Sequence, residues 1–357
     1  MFIKNCWYVA GWSREVPDDG FLARTVVNVP LALWRDSQGQ VRALADRCCH
    51  RGAPLSRGRK EGDCVRCGYH GLRFAPDGRC VEVPGSDRIP EAARVRTYPV
   101  VLKNRWVFVW MGDPSRADPA LLPDNFSCDS PDWKNRPGYL HYDANWLLIC
   151  DNLLDFSHLS YVHEASLGAS TEIARARADI ESVPRGLRVS RRVNDVPAPP
   201  FYTRFRSFDS NIDRWFVYDF VLPGTLLMHS GGRPTGCADD DERDTVRLHS
   251  CQTLTPETER TTHYFFQQSH RSGEGDGRIV QSIFDSLLLA FEEDRAMITA
   301  QARVLELGPD APMVPLAMDA ALIRFRRLVQ AELEAERARG TIDATPNGRP
   351  TCSSQTC

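Results

Sequence analysis

The chain has 357 residues, of which 42% are apolar and 25% charged, with a formal net charge of −3. That length allows two domains with sizeable cores, and the near-neutral balance gives no basic face for nucleic acid or an anionic membrane. No run approaches the roughly 18 apolar residues of a membrane span. The start, "MFIKNCWYVAGW", lacks the apolar stretch and cleavage site of a secretory leader, so a cytoplasmic location is expected.

Residues 1–112 read as an antiparallel β domain. "RTVVNVPLALWRD", "QVRALAD", "GLRFAPDGRCVEVPG" and "RWVFVWMGD" are short apolar or alternating runs split by turn signals such as Asp77-Gly78. Pro30 and Pro99 suit strand ends or edges. Three prolines and no periodicity mark 113–124 as a linker. Residues 125–340 then mix both signals. "NWLLICDNLLDFSHLSYVHEA" (145–165) has a helical pattern, and strand-like stretches follow between 183 and 268. Two long helix candidates cover 279–306 and 319–340, the second ending at Gly340 as a C-cap. "GCADDDERD" (236–244) reads as an exposed acidic loop, and 341–357 as a disordered tail. The fold class expected is α+β, with an antiparallel sheet and helices in the second domain.

Twelve cysteines are too few for a disulfide scaffold. In a reducing compartment they serve as thiols or metal ligands. "RCCHRGAPLS" (47–56) and "CGYHG" (67–71) bring Cys48, His50, Cys67 and His70 together. Zinc accepts two cysteines and two histidines. So does a Rieske [2Fe–2S] cluster, in which two cysteines hold one iron and two histidines the other. Each loop carries one cysteine and one histidine two or three residues apart, so each can give one ligand to each iron. A zinc site drawn from Cys64, Cys67 and some of Cys48, Cys49, His50 and His70 is the alternative.

"CCHRGAPLS…CGYHG" resembles the signature C-x-H-R-x-x-P-L-S…C-x-x-H-G of the Rieske ring-hydroxylating oxygenases. Respiratory Rieske proteins carry a further cysteine pair, and those positions here are Ala53 and Tyr69. The resemblance therefore points to the oxygenase type. It implies an N-terminal Rieske [2Fe–2S] domain, followed by a catalytic domain with mononuclear iron(II).

"DNLLDFSHLSYVH" (151–163) is the second constellation. His158 and His163 are five residues apart, about 140° around an ideal helix. A shared metal requires the helix to bend, widen or end between them. Asp155, three residues before His158, falls on its face if the helix continues. Two histidines and one carboxylate on one side of an iron leave positions open for dioxygen. The segment resembles the mononuclear-iron signature of the same oxygenases. By that resemblance His158 and His163 are ligands, Asp155 bridges to a cluster histidine of a neighbouring subunit, and Asn152 sits near the iron. In "FEEDRAMI" (291–298) Glu292, Glu293 and Asp294 are all available, and the resemblance selects Asp294 as third ligand.

The start "NCWYVA" and the chain length resemble the trimeric, α-only branch that includes vanillate O-demethylase and dicamba monooxygenase. That resemblance implies a homotrimer and monooxygenation of a small aromatic acid: O-demethylation of a methoxyarene with formaldehyde release, or methyl hydroxylation. Ring dihydroxylation and N-demethylation are alternatives at the same iron, and an electron carrier with a cluster alone is the rival of another class. His229, His249 and Gln252 are candidate substrate contacts on the sheet strands; a carboxylate would also suit an arginine, and Arg204, Arg206 and Arg214 are available, though each reads as a surface residue. No flavin or nicotinamide fingerprint is present, so a separate NAD(P)H-dependent reductase must supply electrons.

Overall fold

The structure is a computed structural model that describes residues 1–163, 166–167, 171–238, 244–272 and 278–339. Gly340, the tail at 341–357 and most of the acidic segment lie outside these residues.

Three small antiparallel sheets make up the N-terminal half. Leu22–Val26, Val29–Arg35 and Val41–Ala45 form one, and Arg59–Glu61, Cys64–Arg66, Arg73–Phe74 and Cys80–Glu82 form the second. The third joins the two ends of this region, with Trp7–Trp12 against Trp106–Trp110 and Val100–Lys103 on its far side. Pro30 stands one residue into its strand and Pro99 directly before an edge strand, as expected. Two hairpins turn through residues with positive φ, Val27-Asn28 (47° and 67°) and Asn104-Arg105 (49° and 63°). A β-branched valine is costly there. The Val27 and Asn28 amides donate to the carbonyls of Pro256 and Glu257 at 2.7 and 2.9 Å, so the C-terminal half holds that turn in place.

The linker is structured rather than open. Pro114–Arg116 and Pro119–Leu121 are single 3-10 turns, each preceded by an aspartate whose carboxylate accepts from its own turn, Asp113 from Ser115 and Asp118 from Ala120. The indoles of Trp110 and Trp7 donate to the carbonyls of Asp113 and Asp118 at 2.7 and 2.9 Å. A tryptophan-rich seam then joins the two halves. Trp12, Trp106, Phe108, Cys251 and Phe265 are buried together there, and Trp12 Nε1 donates to the Gly138 carbonyl.

The C-terminal half is, in its described residues, one eight-stranded antiparallel sheet. Its order runs from Trp133–Asn135 and Gly138–Tyr142, both paired with Thr262–Arg271, through Val246–Pro256, Thr225–Pro234, Ile212–Val221 and Gly186–Val196 to Asp179–Val183. Among the described residues six helices accompany it: α1 (Trp146–Leu154), α2 (Leu159–Val162), α3 (Thr171–Arg175), α4 (Pro200–Thr203), α5 (Ile279–Leu307) and α6 (Ala320–Ala338). Helix α5 lays Ala290, Phe291, Asp294 and Ile298 toward the sheet, and Phe291 packs edge-on against Phe266 and Tyr264. Helix α6 seats Phe325 on Phe220, and its buried Glu336 accepts from the Lys4 and Asn5 amides, tying the N-terminus to the far end of the chain. The architecture is the α+β arrangement expected, a β domain followed by an antiparallel sheet with helices. No helix of the described residues is long and apolar enough to cross a membrane.

Candidate active site

The two Cys/His pairs stand on loops of the same construction. The Cys48 amide donates to the Ala53 carbonyl and the Cys67 amide to the Leu72 carbonyl, each at 2.8 Å. The Gly52 and Gly71 amides return to the Cys48 and Cys67 carbonyls at 2.9 and 3.1 Å. Both glycines hold positive φ, +71° and +74°, where a side chain is strained, and a Cβ on Gly71 would lie 2.9 Å from Pro84. Cys48 and Cys67 are buried, whereas His50 and His70 are exposed with ring centroids 4.6 Å apart. The donors thus separate into a thiol pair within and an imidazole pair at the rim.

Zinc needs its four donors around one point, with separations under roughly 4 Å. Among the described residues the one group of three or more donors converging within 4.8 Å is elsewhere. The split set suits a two-iron cluster. Cys49 is exposed, Cys64 lies on the strand Cys64–Arg66, and Ala53 and Tyr69 occupy the positions where a second cysteine pair would stand.

The converging group is His158, His163 and Asp294. Helix α1 ends at Leu154, because Asp155 turns to extended backbone (φ −124°, ψ 101°). A 3-10 turn, Phe156–His158, and the short α2 follow. This break places two histidines, five residues apart, around one point. His158 Nε2 and His163 Nε2 lie 3.5 and 3.2 Å from the two Asp294 oxygens. Asp155 is therefore not on a helix face with His158. Its carbonyl, not its carboxylate, holds His158 Nδ1 at 2.6 Å, while the carboxylate accepts from the Ser157 amide and hydroxyl.

His163 Nδ1 meets Glu293 Oε2 at 2.8 Å, and Ser166 donates to the same oxygen. Asn152 Nδ2 donates to Asp294 Oδ1 at 3.0 Å. Each Nδ1 is thus held by an acceptor on the outer side and each Nε2 faces Asp294, the atom that would turn its lone pair to a bound metal. Burial lowers the pKa of His158, and Asp294 offsets this only in part. Burial also acts downward on His163, but hydrogen bonds and charge from Asp294 and then Glu293 outweigh it and leave that imidazole raised. The adjacent Glu292 pairs instead with Arg295.

Beside the triad is a cavity of about 110 Å³. Apolar side chains dominate its wall, among them Phe156, Phe216, Leu248 and Phe291, with Gln252, Gln268 and Arg214 as polar members. The size is on the scale of the roughly 150 Å³ apolar cavity that accepts one benzene. Gln252 therefore lies in this wall. His229 and His249 do not: they form a cross-strand pair and line a separate cavity of about 350 Å³ with Phe126 and Arg188. Strand alternation is the reason, since neighbours point to opposite faces and Gln252 shares its face with Ser250 and Leu248. Arg214, expected at the surface, is 8% exposed and lines the triad's cavity, while Arg204 and Arg206 are exposed.

Comparison with known proteins matches this architecture half by half. Residues 6–99 match the Rieske [2Fe-2S] domain and residues 142–335 the vanillate O-demethylase oxygenase C-terminal domain. The toluene-4-sulfonate monooxygenase system iron-sulfur subunit of Comamonas testosteroni is 45% identical over 94% of this chain and 98% of its own. The oxygenase component of dicamba O-demethylase from Stenotrophomonas maltophilia is 31% identical over 94% and 99%. A crystal structure of dicamba monooxygenase bound to 3,6-dichlorosalicylic acid superposes with a TM-score of 0.87 at 30% identity, covering 95% and 99% of the two chains. A cluster-type loop pair ahead of a two-histidine, one-carboxylate site, with relatives of this identity along nearly the whole length, means that the chain belongs to the Rieske non-haem iron oxygenases, in the vanillate O-demethylase oxygenase branch.

Proposed function

We propose that the chain is a terminal oxygenase component that hydroxylates a methyl carbon on a small aromatic acid. Cys48, His50, Cys67 and His70 hold the [2Fe–2S] cluster, and His158, His163 and Asp294 hold iron(II). The observation that carries the reading is the triad itself, two fixed Nε2 donors and one carboxylate beside an apolar cavity of single-ring size. With both groups bound, the centres supply dioxygen activation, two external electrons per turnover arriving singly through the cluster.

The overall reaction balances as ArCH3 + O2 + NADH + H⁺ → ArCH2OH + H2O + NAD⁺. Asn152 orients Asp294, the Asp155 carbonyl and Glu293 orient the histidines, and the apolar wall excludes water so that oxidation falls on the substrate. Electrons come from a separate NAD(P)H-dependent reductase. The exposed His50 and His70 rings suit a docked neighbour, and in a homotrimer Asp155 links the two centres, its carbonyl on His158 Nδ1 and its carboxylate toward a cluster histidine of the next subunit.

Methyl hydroxylation is preferred because the 45% identical relative is named for toluene-4-sulfonate. O-demethylation is the second reading, favoured by the matched C-terminal domain and the 31% identical demethylase components. The test supplies the iron-loaded protein with a surrogate reductase and NADH, and offers 4-toluenesulfonate, methylbenzoates and methoxybenzoates. An alcohol product carrying one atom of ¹⁸O2 supports the proposal. Formaldehyde in proportion to oxygen moves the assignment to a demethylase. A ring diol or an N-dealkylated product with other arenes identifies one of the alternative reactions. A reducible cluster with the second iron bound and no substrate-dependent oxygen uptake on any compound would mean that the substrate class is wrong.

A further inference from the structure

Arg214 is a buried cation that the protein leaves open. It sits on Ile212–Val221 with its guanidinium carbon 4.9 Å from the Tyr202 ring centroid and 5.2 Å from that of Phe216. Both rings line the triad's cavity. Its Nε is buried without a hydrogen-bond partner, and no ion pair among the described residues uses it. The two other buried arginines of the sheet have partners: Arg191 donates to the Ile173 carbonyl at 3.1 Å and stands 3.8 Å from Asp155, and Arg233 donates to the Ala238 carbonyl at 3.1 Å. The cavity's own carboxylate, Asp294, is occupied by Asn152 and the two histidines. Two aromatic faces compensate a guanidinium only in part, and a desolvated charge without a counterion is costly. Gln252 lines the same cavity. Its Oε1 accepts from the Tyr264 hydroxyl at 2.8 Å, so its NH2 group remains as a second donor.

We propose that Arg214 is the specificity-determining residue for the acid group of the substrate, pairing its planar fork with two oxygens of an aryl carboxylate or sulfonate. This rests on the reading of the cavity as the substrate site. A guanidinium matches two coplanar oxygens better than an ammonium does, and it retains its charge in an apolar wall. The ring then fills the apolar part of the cavity.

The test is calorimetric titration of the holoprotein, anaerobic and without reductase, with 4-toluenesulfonate, 4-methylbenzoate and the neutral 4-methylbenzenesulfonamide and 4-methylbenzamide. Wild type is expected to bind at least one anion about tenfold or more tighter than its amide. Arg214→Gln is expected to lose about 10- to 100-fold for that anion and little for the amide, and Arg214→Lys to fall between. The anion with the larger Arg214-dependent loss identifies carboxylate or sulfonate. Unchanged anion binding in Arg214→Gln overturns the proposal. So does equal binding of acid and amide by wild type, a comparison that holds even if the glutamine variant does not fold. Arg214-dependent anion binding without any hydroxylated product would keep the clamp and remove the proposed reaction. Hydroxylation of neutral methylarenes with no anion preference would do the reverse.

Discussion

Replacing Glu293 is expected to loosen the iron while leaving the cluster untouched. Consecutive residues leave a helix about 100° apart, so Glu292, Glu293 and Asp294 point three ways: to Arg295, to His163 and to the triad. Glu293 Oε2, 2.8 Å from His163 Nδ1, fixes the tautomer that presents Nε2 toward Asp294. Glu293→Gln keeps an acceptor and removes the charge. The difference between a charged and a neutral hydrogen bond is about 1 kcal/mol. The Glu293 side chain is 28% exposed, so solvent screens part of that. The glutamine variant should therefore lose about tenfold or less in iron(II) affinity. Glu293→Leu removes the acceptor and strands a buried N–H, which adds roughly 1–3 kcal/mol, for a total near 100-fold. Anaerobic competition with a chromophoric chelator measures both, and the cluster's visible absorbance in the same cuvette reports that the fold is intact. If the leucine variant holds iron as tightly as wild type, Glu293 does not set the His163 tautomer and the reasoning fails.

His158→Ala should retain the cluster spectrum and lose turnover entirely; residual hydroxylation above background would remove His158 from the ligand set. Asp155→Asn keeps the carbonyl that holds His158 and loses only the charge, so iron content should be unchanged while cluster oxidation in a single turnover slows; a normal rate would refute the bridge. Gly71→Val puts a branched side chain at φ +74° against Pro84, and purified protein should carry well under half the iron and acid-labile sulfide of wild type, a loss that full occupancy would contradict. Burial, then the Arg24 charge, push His263 down to about 4 against the pull of Glu257. The unfolded value is about 6.5, so as pH falls the unfolded chain takes up the proton first. Stability should be flat above that value and fall by about 1–3 kcal/mol from 6.5 down to about 4. Melting curves of wild type and His263→Gln across this window should differ in slope; equal slopes would show that His263 does not contribute.

Motifs whose spacing is itself the chemistry were legible from residues alone. Cys48, His50, Cys67 and His70 are local, and the glycines four residues after each cysteine are demanded by positive φ. The 140° between His158 and His163 correctly required a break. Its location was not readable, because nothing in "LLDFSH" marks Asp155 as the residue that turns extended. Glu293 stayed hidden behind its two acidic neighbours, since only the orientation of α5 over the sheet separates three adjacent carboxylates. Naming Gln252 and His249 as linings of one pocket conflicts with strand parity, because residues three apart point to opposite faces. Parity also marks Arg214: in "DRWFVYDF" it falls in step with Phe216, Tyr218 and Phe220, all buried.

The distribution of unsatisfied polar capacity carries the remaining step from site to substrate. Around the triad every outward atom has a partner: Asp155 for His158, Glu293 for His163, Asn152 for Asp294. Such saturation fixes the metal site and leaves it little to say about which arene enters. The apolar wall selects for a ring and is nearly indifferent to its substituents, since one methyl more or less is worth only about 1–3 kcal/mol. Discrimination between acids and neutral arenes must then come from polar groups the fold does not satisfy itself, because a buried donor rejects a ligand that fails to pair with it far more strongly than a greasy wall can. In this cavity that capacity lies with Arg214, with the Gln252 amide beside it.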